Sequence, residues 1–266
     1  MVTAELVQTH VGKVQVRRGG SGAPVVYLHS ATGEGEGLAL LDELAATYDA
    51  IAPMFPGYGE SEGIEQIDDM EDAVFHLLDL FDQLGLVSPA VVGLSLGGWM
   101  AAELATRYPE RVSSLVLVNP AGLYIKGAEI KDIFGRTPDV MALDLFADQN
   151  QPMAQMMHAM ADLQPESVSF EMIKPYYQTM AATARLAWDP YLHDPKLRKR
   201  LHRVTAPTLV IRGAHDTLIP RAHAEAYVAE IPGARLVELE ECAHLLSIEK
   251  PAELAAQVRD HVGVKA

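Results

Sequence analysis

The stretch that most restricts how this chain can fold is Val91-Val92-Gly93-Leu94-Ser95-Leu96-Gly97-Gly98-Trp99, an apolar run broken by glycines around one serine. It reads as a buried strand, a sharp turn and the start of a helix. Gly93, Ser95 and Gly97 form G-x-S-x-G, a pattern in which the serine occupies the tip of a strained strand-to-helix turn. Residues two places to either side must then be small, because a Cβ there would collide with the turn. Such a turn exposes Ser95 Oγ at the end of a sheet and points the Leu96 N–H into the same space, at a helix N-terminus. Five residues with three fixed positions also recur by chance in Gly-rich turns. The remainder of the chain decides the reading.

Strands and helices alternate on both sides of this turn. Residues 4–17 read as two short strands around Val11-Gly12, and residues 25–29 as a strand buried on both faces. A helix is expected over 38–47, a strand over 48–54, and an amphipathic helix over about 67–84 with Met70, Val74, Leu77, Leu78, Phe81 and Leu84 on one face. Residues 99–108 read as a helix stopped by Pro109, and 112–119 as a further apolar strand. From Leu123 to about Trp188 the texture becomes helical and rich in methionine (Met141, Met153, Met156, Met157, Met160, Met172, Met180). The alternation returns with a strand over 206–213, a helix over 222–230, a strand over 234–239 and a helix over 251–262. Repeated βαβ units imply a mostly parallel sheet whose ligands bind beyond the carboxyl ends of its strands. The expected organisation is one α/β core made of residues 1–122 and 190–266, interrupted by a helical cap over 123–189.

Composition narrows the partners. With 21 basic and 36 acidic residues the net charge is −15, which repels phosphate backbones and makes nucleic acid an unsuitable partner. No apolar run approaches the ~20 residues of a membrane span, and the N-terminus lacks a basic-then-apolar leader. A single cysteine, Cys242, allows no internal disulfide and suits a cytoplasmic location; its expected role is packing. Nothing calls for a metal or a cofactor: histidines and carboxylates do not pair at ligand spacing, and Gly33-Glu34-Gly35-Glu36-Gly37 lacks dinucleotide-loop spacing. The partner left is a small-molecule substrate, taken by a monomer or homodimer.

A serine hydroxyl is a weak nucleophile until a base takes its proton, and the base needs an acid to fix its tautomer. His244, in the loop after the last strand, is the candidate base, and Asp216, just past the preceding strand, the candidate acid. An Asx-turn is the competing role for Asp216. The acid cannot stand after the strand that ends at Asn119, because asparagine carries no charge. The order Ser95, Asp216, His244 puts one residue after each of three strands. A second oxyanion donor is expected from the loop after residues 25–29, with Ala31 N–H paired to Leu96 N–H. His29 and Ser30 beside it could touch substrate, although His29 fits a structural hydrogen bond across the loop better. Met157 and Trp188 are the cap residues expected at the substrate, and Tyr124, Phe134, Phe146, Tyr176 and Tyr177 could line the same cavity.

On these residues, together with Phe55-Pro56-Gly57-Tyr58-Gly59-Glu60-Ser61, the chain resembles the α/β-hydrolase superfamily in its cap-bearing form. The resemblance implies an α/β-hydrolase fold: a mostly parallel twisted sheet, helices on both faces and an inserted helical cap. It also implies hydrolysis without a cofactor. Haloalkane dehalogenases and epoxide hydrolases of the superfamily use an aspartate nucleophile where this chain has Ser95. Proline-specific aminopeptidases usually carry a Gly-Trp beside the serine, a pairing not read here. Hydrolases of C–C bonds usually carry Asn before the serine and a Gly-Pro loop, where this chain reads Leu94 and Ala31-Thr32-Gly33-Glu34-Gly35. Most members have Gly in place of Ser30. The expected activity is therefore carboxylic-ester hydrolysis of small to medium apolar substrates. The alternatives are C–C hydrolysis of dienoic ketones, with Arg185 and Trp188 holding an acidic substrate, and a slow-turnover ligand-binding protein. Lyase and perhydrolase chemistry use the same triad.

Overall fold

The structure is a computed structural model that describes residues 2–35, 37–163 and 169–263. The fully apolar strands form its centre. β3 (Pro24–Leu28), β5 (Ala90–Leu94), β6 (Ser114–Val118) and β7 (Thr208–Gly213) are buried on both faces, as parallel strands between two helical layers must be. With β1 (Thr3–Gln8), β2 (Lys13–Gly19), β4 (Asp49–Pro53) and β8 (Arg235–Leu239) they form one eight-stranded sheet of order β1-β2-β4-β3-β5-β6-β7-β8. β1, β2 and β4 pair antiparallel, and every pairing from β4 to β8 is parallel. Of the two edges, β1 is largely exposed and β8 mostly half-buried, in keeping with their polar and charged residues.

Helices α1 (Ala39–Ala45) and α10 (Pro251–Val262) cover one face of the sheet. Helices α2 (Met70–Gln83), α3 (Leu96–Arg107) and α8 (Arg221–Glu230) cover the other. The apolar stripe of α2 faces inward as its 3.6-residue period requires, and Asp69 caps it by accepting from Glu71 N (2.8 Å) and Asp72 N (3.0 Å). That cap delays the helix to Met70 from the expected 67, and a 3-10 turn at Ile64–Gln66 precedes it. After β3 the chain crosses to β4 on one side and then to β5 on the other. The order of connection therefore reverses between β3 and β5, the place where loops of a parallel sheet splay apart and leave a crevice.

Between β6 and β7 lie α4 (Pro138–Leu145), α5 (Pro152–Ala161), α6 (Phe170–Ala187) and the short α7 (Leu197–Arg200). The entry and exit of this insertion meet: Gly122 N donates to Leu192 O (2.9 Å) and Asp194 N to Gly122 O (3.1 Å). Helix was expected from Leu123 onward, yet residues 123–137 follow an irregular path. Gly127 at positive φ and Gly135 interrupt it, and helix resumes only where Pro138 takes the first helical position. The irregular segment is held by Tyr191, whose hydroxyl accepts from Ile133 N and donates to Lys131 O, and by Lys131 and Arg136 on the buried Asp144 carboxylate. α9 (Leu246–Glu249) and α7, each a single turn, carry too few residues to show a period in the sequence.

Candidate active site

Ser95 stands at the junction of β5 and α3 with φ 55° and ψ −111°, a conformation L-residues rarely adopt. The glycines around it explain how that is tolerated. A Cβ on Gly93 would lie 2.3 Å from Gly97 O, and one on Gly97 would lie 2.2 Å from Leu28 O. The turn is thus packed directly against its neighbouring strands, and Ser95 N is tied to Val118 O (2.9 Å). α3 begins at Leu96, three residues earlier than its apolar period suggests, because the glycines Gly97 and Gly98 form its first turn.

Asp216 and His244 reach the same edge of the sheet from the loops after β7 and β8. His244 Nδ1 lies 2.8 Å from Asp216 Oδ2, with both side chains buried. The other oxygen, Oδ1, accepts from Leu218 N (2.9 Å) and Ile219 N (3.0 Å). Both roles weighed for this residue are therefore present, one per oxygen: the Asx-type turn fixes the carboxylate, and the fixed carboxylate faces the imidazole. Nδ1 must carry the proton to bond a carboxylate, which leaves Nε2 as a free base. Ser95 and His244 line one narrow cavity of about 30 Å³ with Ser30, Ala31 and Thr32.

The Asn119 position, closed to the acid because asparagine carries no charge, has another use. Asn119 Nδ2 donates to Ala243 O (3.1 Å) and His244 O (2.9 Å), and its Oδ1 accepts from Gly213 N (3.1 Å). One buried amide thus joins the ends of β6 and β7 to the histidine loop. Glu249 adds a second tie, accepting from Ala243 N (2.7 Å), Ala147 N (2.8 Å) and Asp148 N (3.0 Å), while His244 N and Leu245 N both donate to Leu145 O. The histidine loop is thereby held against α4. Neither residue carries a motif; only burial and direction reveal them.

On the far side of Ser95, the loop after β3 supplies Ala31. His29 Nε2 accepts from Phe55 N (3.0 Å), so its proton sits on Nδ1, which donates to Ser30 O (2.7 Å). Burial lowers the His29 pKa and keeps the ring neutral. Gly33 N also donates to Ser30 O (3.1 Å). In a trans peptide the N–H opposes the C=O, so pinning the Ser30 carbonyl aims the Ala31 N–H the other way. Among the described residues neither the Ala31 nor the Leu96 N–H donates to a protein acceptor. His29 is not among the residues lining the cavity, and its ring is fully engaged; the placement gives it the structural role and not contact with substrate.

The narrow cavity adjoins a larger one of about 330 Å³, with Thr32, Ile133, Met141, Leu145 and Met180 lining both. Met153, Met156, Met157, Met160, Pro138, Pro175, Tyr176 and Thr179 complete the larger wall, so six of the seven insertion methionines reach it and, among the described residues, no charged side chain does. The side chain of Met172 lies outside the described residues. Of the aromatics, only Tyr176 lines this cavity. Trp188 is 63% exposed, packs against Phe134 in a tilted arrangement with ring centroids 5.2 Å apart, and is not brought to the site. Arg185 turns outward to Ile67 O (2.9 Å) and Asp68 Oδ1 (2.8 Å). Cys242 is buried against Leu239 O, and burial pushes its thiol pKa up to about 12, so it packs as a small apolar group. Among the described residues no His, Cys, Asp or Glu cluster could hold a metal ion, and no helix is long and apolar enough to cross a membrane.

Comparison with known proteins agrees with this architecture. The chain is 29% identical over 255 residues to the dihydrolipoyllysine-residue acetyltransferase component of the acetoin cleaving system of Cupriavidus necator; 93% of this chain is covered, and it spans 65% of that protein's length. It is 30% identical over 255 residues to 2-hydroxymuconate semialdehyde hydrolase of Pseudomonas sp. (strain CF600), covering 91% of this chain and 87% of the relative. It is 29% identical over 265 residues to pimeloyl-[acyl-carrier protein] methyl ester esterase of Aeromonas salmonicida, covering 94% and 99%. A serine hydrolase involved in carbazole degradation shares the fold across the whole of both chains, with a TM-score of 0.79 at 22% identity. The family model described as alpha/beta hydrolase fold matches residues 23–251, from the first central strand to the start of the last helix, and the chain belongs to that family.

Proposed function

We propose that this protein is a serine hydrolase that cleaves carboxylic esters of small to medium apolar substrates, with residues 123–189 acting as a cap over the core. Ser95 Oγ attacks the ester carbonyl as His244 Nε2 takes its proton, and Asp216 stabilises the imidazolium. The oxyanion is held by the Ala31 and Leu96 N–H groups. Collapse of the tetrahedral intermediate transfers the proton from His244 to the departing alcohol and leaves an acyl-Ser95. Water, deprotonated by the same histidine, then releases the acid.

The observation that carries this reading is the pairing of a base-bearing throat with a methionine-rich wall that, among the described residues, carries no charge. A substrate that retains a carboxylate inside the cavity would leave that charge unpaired and desolvated, at a cost of several kcal/mol. Arg185, the cation that would suit such a substrate, is engaged elsewhere. This favours an ester over the acidic substrate of a semialdehyde hydrolase. A p-nitrophenyl ester series of increasing acyl length, given to wild type and Ser95→Ala, tests the reading. Multiple turnover is expected in wild type and its loss in the variant. Equal rates from both proteins on every ester would refute ester hydrolysis, and ligand-induced stabilisation without turnover would indicate a binding protein.

A further inference from the structure

Glu34 is buried beneath the Ser30–Ala31 loop, and its four partners are all neutral donors. Oε1 accepts from Tyr27 OH (2.7 Å) and Ser30 N (2.9 Å); Oε2 accepts from Ser30 Oγ (2.6 Å) and Thr32 Oγ1 (2.8 Å). Thr32 N in turn donates to Ser30 Oγ (3.1 Å). Four donors fill the acceptor sites of one carboxylate, so the group is fully used as an anchor. It is anchored itself from the central strand β3 through Tyr27.

The consequence concerns one peptide. Ser30 is held through its N–H and its hydroxyl by Glu34, and through its carbonyl by His29 and Gly33. Every polar atom of the residue is committed, and the only group of the Ser30–Ala31 peptide left over is the Ala31 N–H. We propose that Glu34 is a positioning residue for the oxyanion hole: through Ser30 and Thr32 it fixes the direction of the Ala31 N–H without touching substrate. This rests on the ester-hydrolase reading of the site. It also gives Ser30 a reason to stand where glycine is more usual, since a glycine offers this carboxylate no hydroxyl. Glutamine at 34 has the same shape but replaces one acceptor oxygen by a donor NH₂; facing the Ser30 and Thr32 hydroxyls, it reverses those two bonds, so the hydroxyls must accept and their protons must find other partners.

The test is steady-state kinetics on the preferred p-nitrophenyl ester for wild type, Glu34→Gln, Ser30→Ala, the double variant and Ser95→Ala, with inhibition by an alkyl trifluoromethyl ketone measured in parallel. The ketone's adduct oxyanion occupies the same hole, whereas KM reports ground-state binding. Loss of a whole oxyanion donor costs about 10²–10³ in kcat, so Glu34→Gln is expected to lose ~30-fold and Ser30→Ala ~10-fold. KM should stay within about threefold, the ketone Ki should rise in step with the kcat loss, and the double variant should be no worse than Glu34→Gln, because the two act as one unit. A folded Glu34→Gln with kcat within about threefold of wild type overturns the inference, as does a loss confined to KM, a Ki that does not move, or additive losses in the double variant. If circular dichroism shows Glu34→Gln unfolded, Ser30→Ala decides alone: unchanged kcat overturns the proposal. Wild-type turnover with an unimpaired Glu34→Gln removes this inference only; absence of Ser95-dependent turnover in wild type removes the ester reading and this inference with it.

Discussion

Single side chains in this protein act by the direction in which they hold backbone, and Asn119 is the clearest case. Its amide serves three buried backbone groups that have no alternative partner in the described structure: the carbonyls of Ala243 and His244 and the N–H of Gly213. Asn119→Ala would strand all three. Buried groups left unsatisfied cost roughly 1–3 kcal/mol, and some of that is recovered by entry of water. The expected outcome is a loss of about 2 kcal/mol in urea-denaturation stability together with a roughly tenfold fall in kcat, as the loop carrying His244 loosens. A variant as stable and as active as wild type would show that the histidine loop holds its place without this tie. The same reasoning separates Asp216 from a generic turn residue. One oxygen closes the turn and the other faces His244, so a change that keeps the first role can still abolish the second.

At the scale of elements, the contact that matters is between the histidine loop and α4. Glu249 at the end of α9 receives two amides from the residues just after α4 and one from Ala243, while Leu145 O receives the amides of His244 and Leu245. The insertion is therefore joined to the loop that bears the base, not merely laid over it. Glu249→Ala should cost about 1 kcal/mol, mainly through the part-buried Ala147 and Ala243 N–H groups, because the Asp148 N–H is open to water. It should also speed amide exchange at residues 147, 148 and 243 selectively, a pattern resolved by hydrogen–deuterium exchange with peptide mapping. Uniform exchange across the molecule would instead indicate global destabilisation with no specific clamp. The helices of the insertion present methionine to the cavity for a physical reason. An unbranched thioether adapts its three rotatable bonds to irregular apolar shapes, whereas the β-branched residues of the sheet do not.

For the whole molecule, histidines whose pKa is lowered by burial are expected to make stability fall on acidification. Burial lowers the pKa of His29, His223 and His261, and pushes His76 down to about 4, where its ring packs edge-on to Phe55 with Nδ1 unpartnered. Between about pH 6.5 and 4 the unfolded chain binds a proton at His76 that the folded chain refuses, so stability falls as pH falls through that window. A shift of this size corresponds to roughly 3 kcal/mol for His76 at the acid end. The net charge of −15 shrinks toward zero near the sequence pI of about 5.0, so self-repulsion weakens over the same range and cannot produce the loss. Calorimetric Tm should drop from pH 7 to 4.5, and His76→Leu should flatten the slope. A Tm that holds or rises on acidification would contradict this assignment.

The sequence by itself determined the βα alternation, the mostly parallel sheet, the turn at Ser95 and the helical insertion after β6, because each is written in local periodicity and in the size of neighbouring residues. It also marked Asp216 and His244, since residues that follow successive parallel strands must arrive at one edge of the sheet. Tertiary structure alone decided what Glu34, Asn119 and Glu249 do. Glu34 sits in the glycine run that the sequence marked only as lacking dinucleotide-loop spacing, and nothing local shows that its carboxylate turns inward to four donors. It likewise decided that His29 braces the Ser30 carbonyl, that Trp188 faces outward, and that residues 123–137 hold their shape without helix through Tyr191 and Asp144. Local pattern fixes which backbone a segment favours. Which way a polar side chain turns to find its partner is not written in that pattern, whether the partner lies a few residues away, as for Glu34, or more than a hundred away, as for Asn119; only the folded chain settles it.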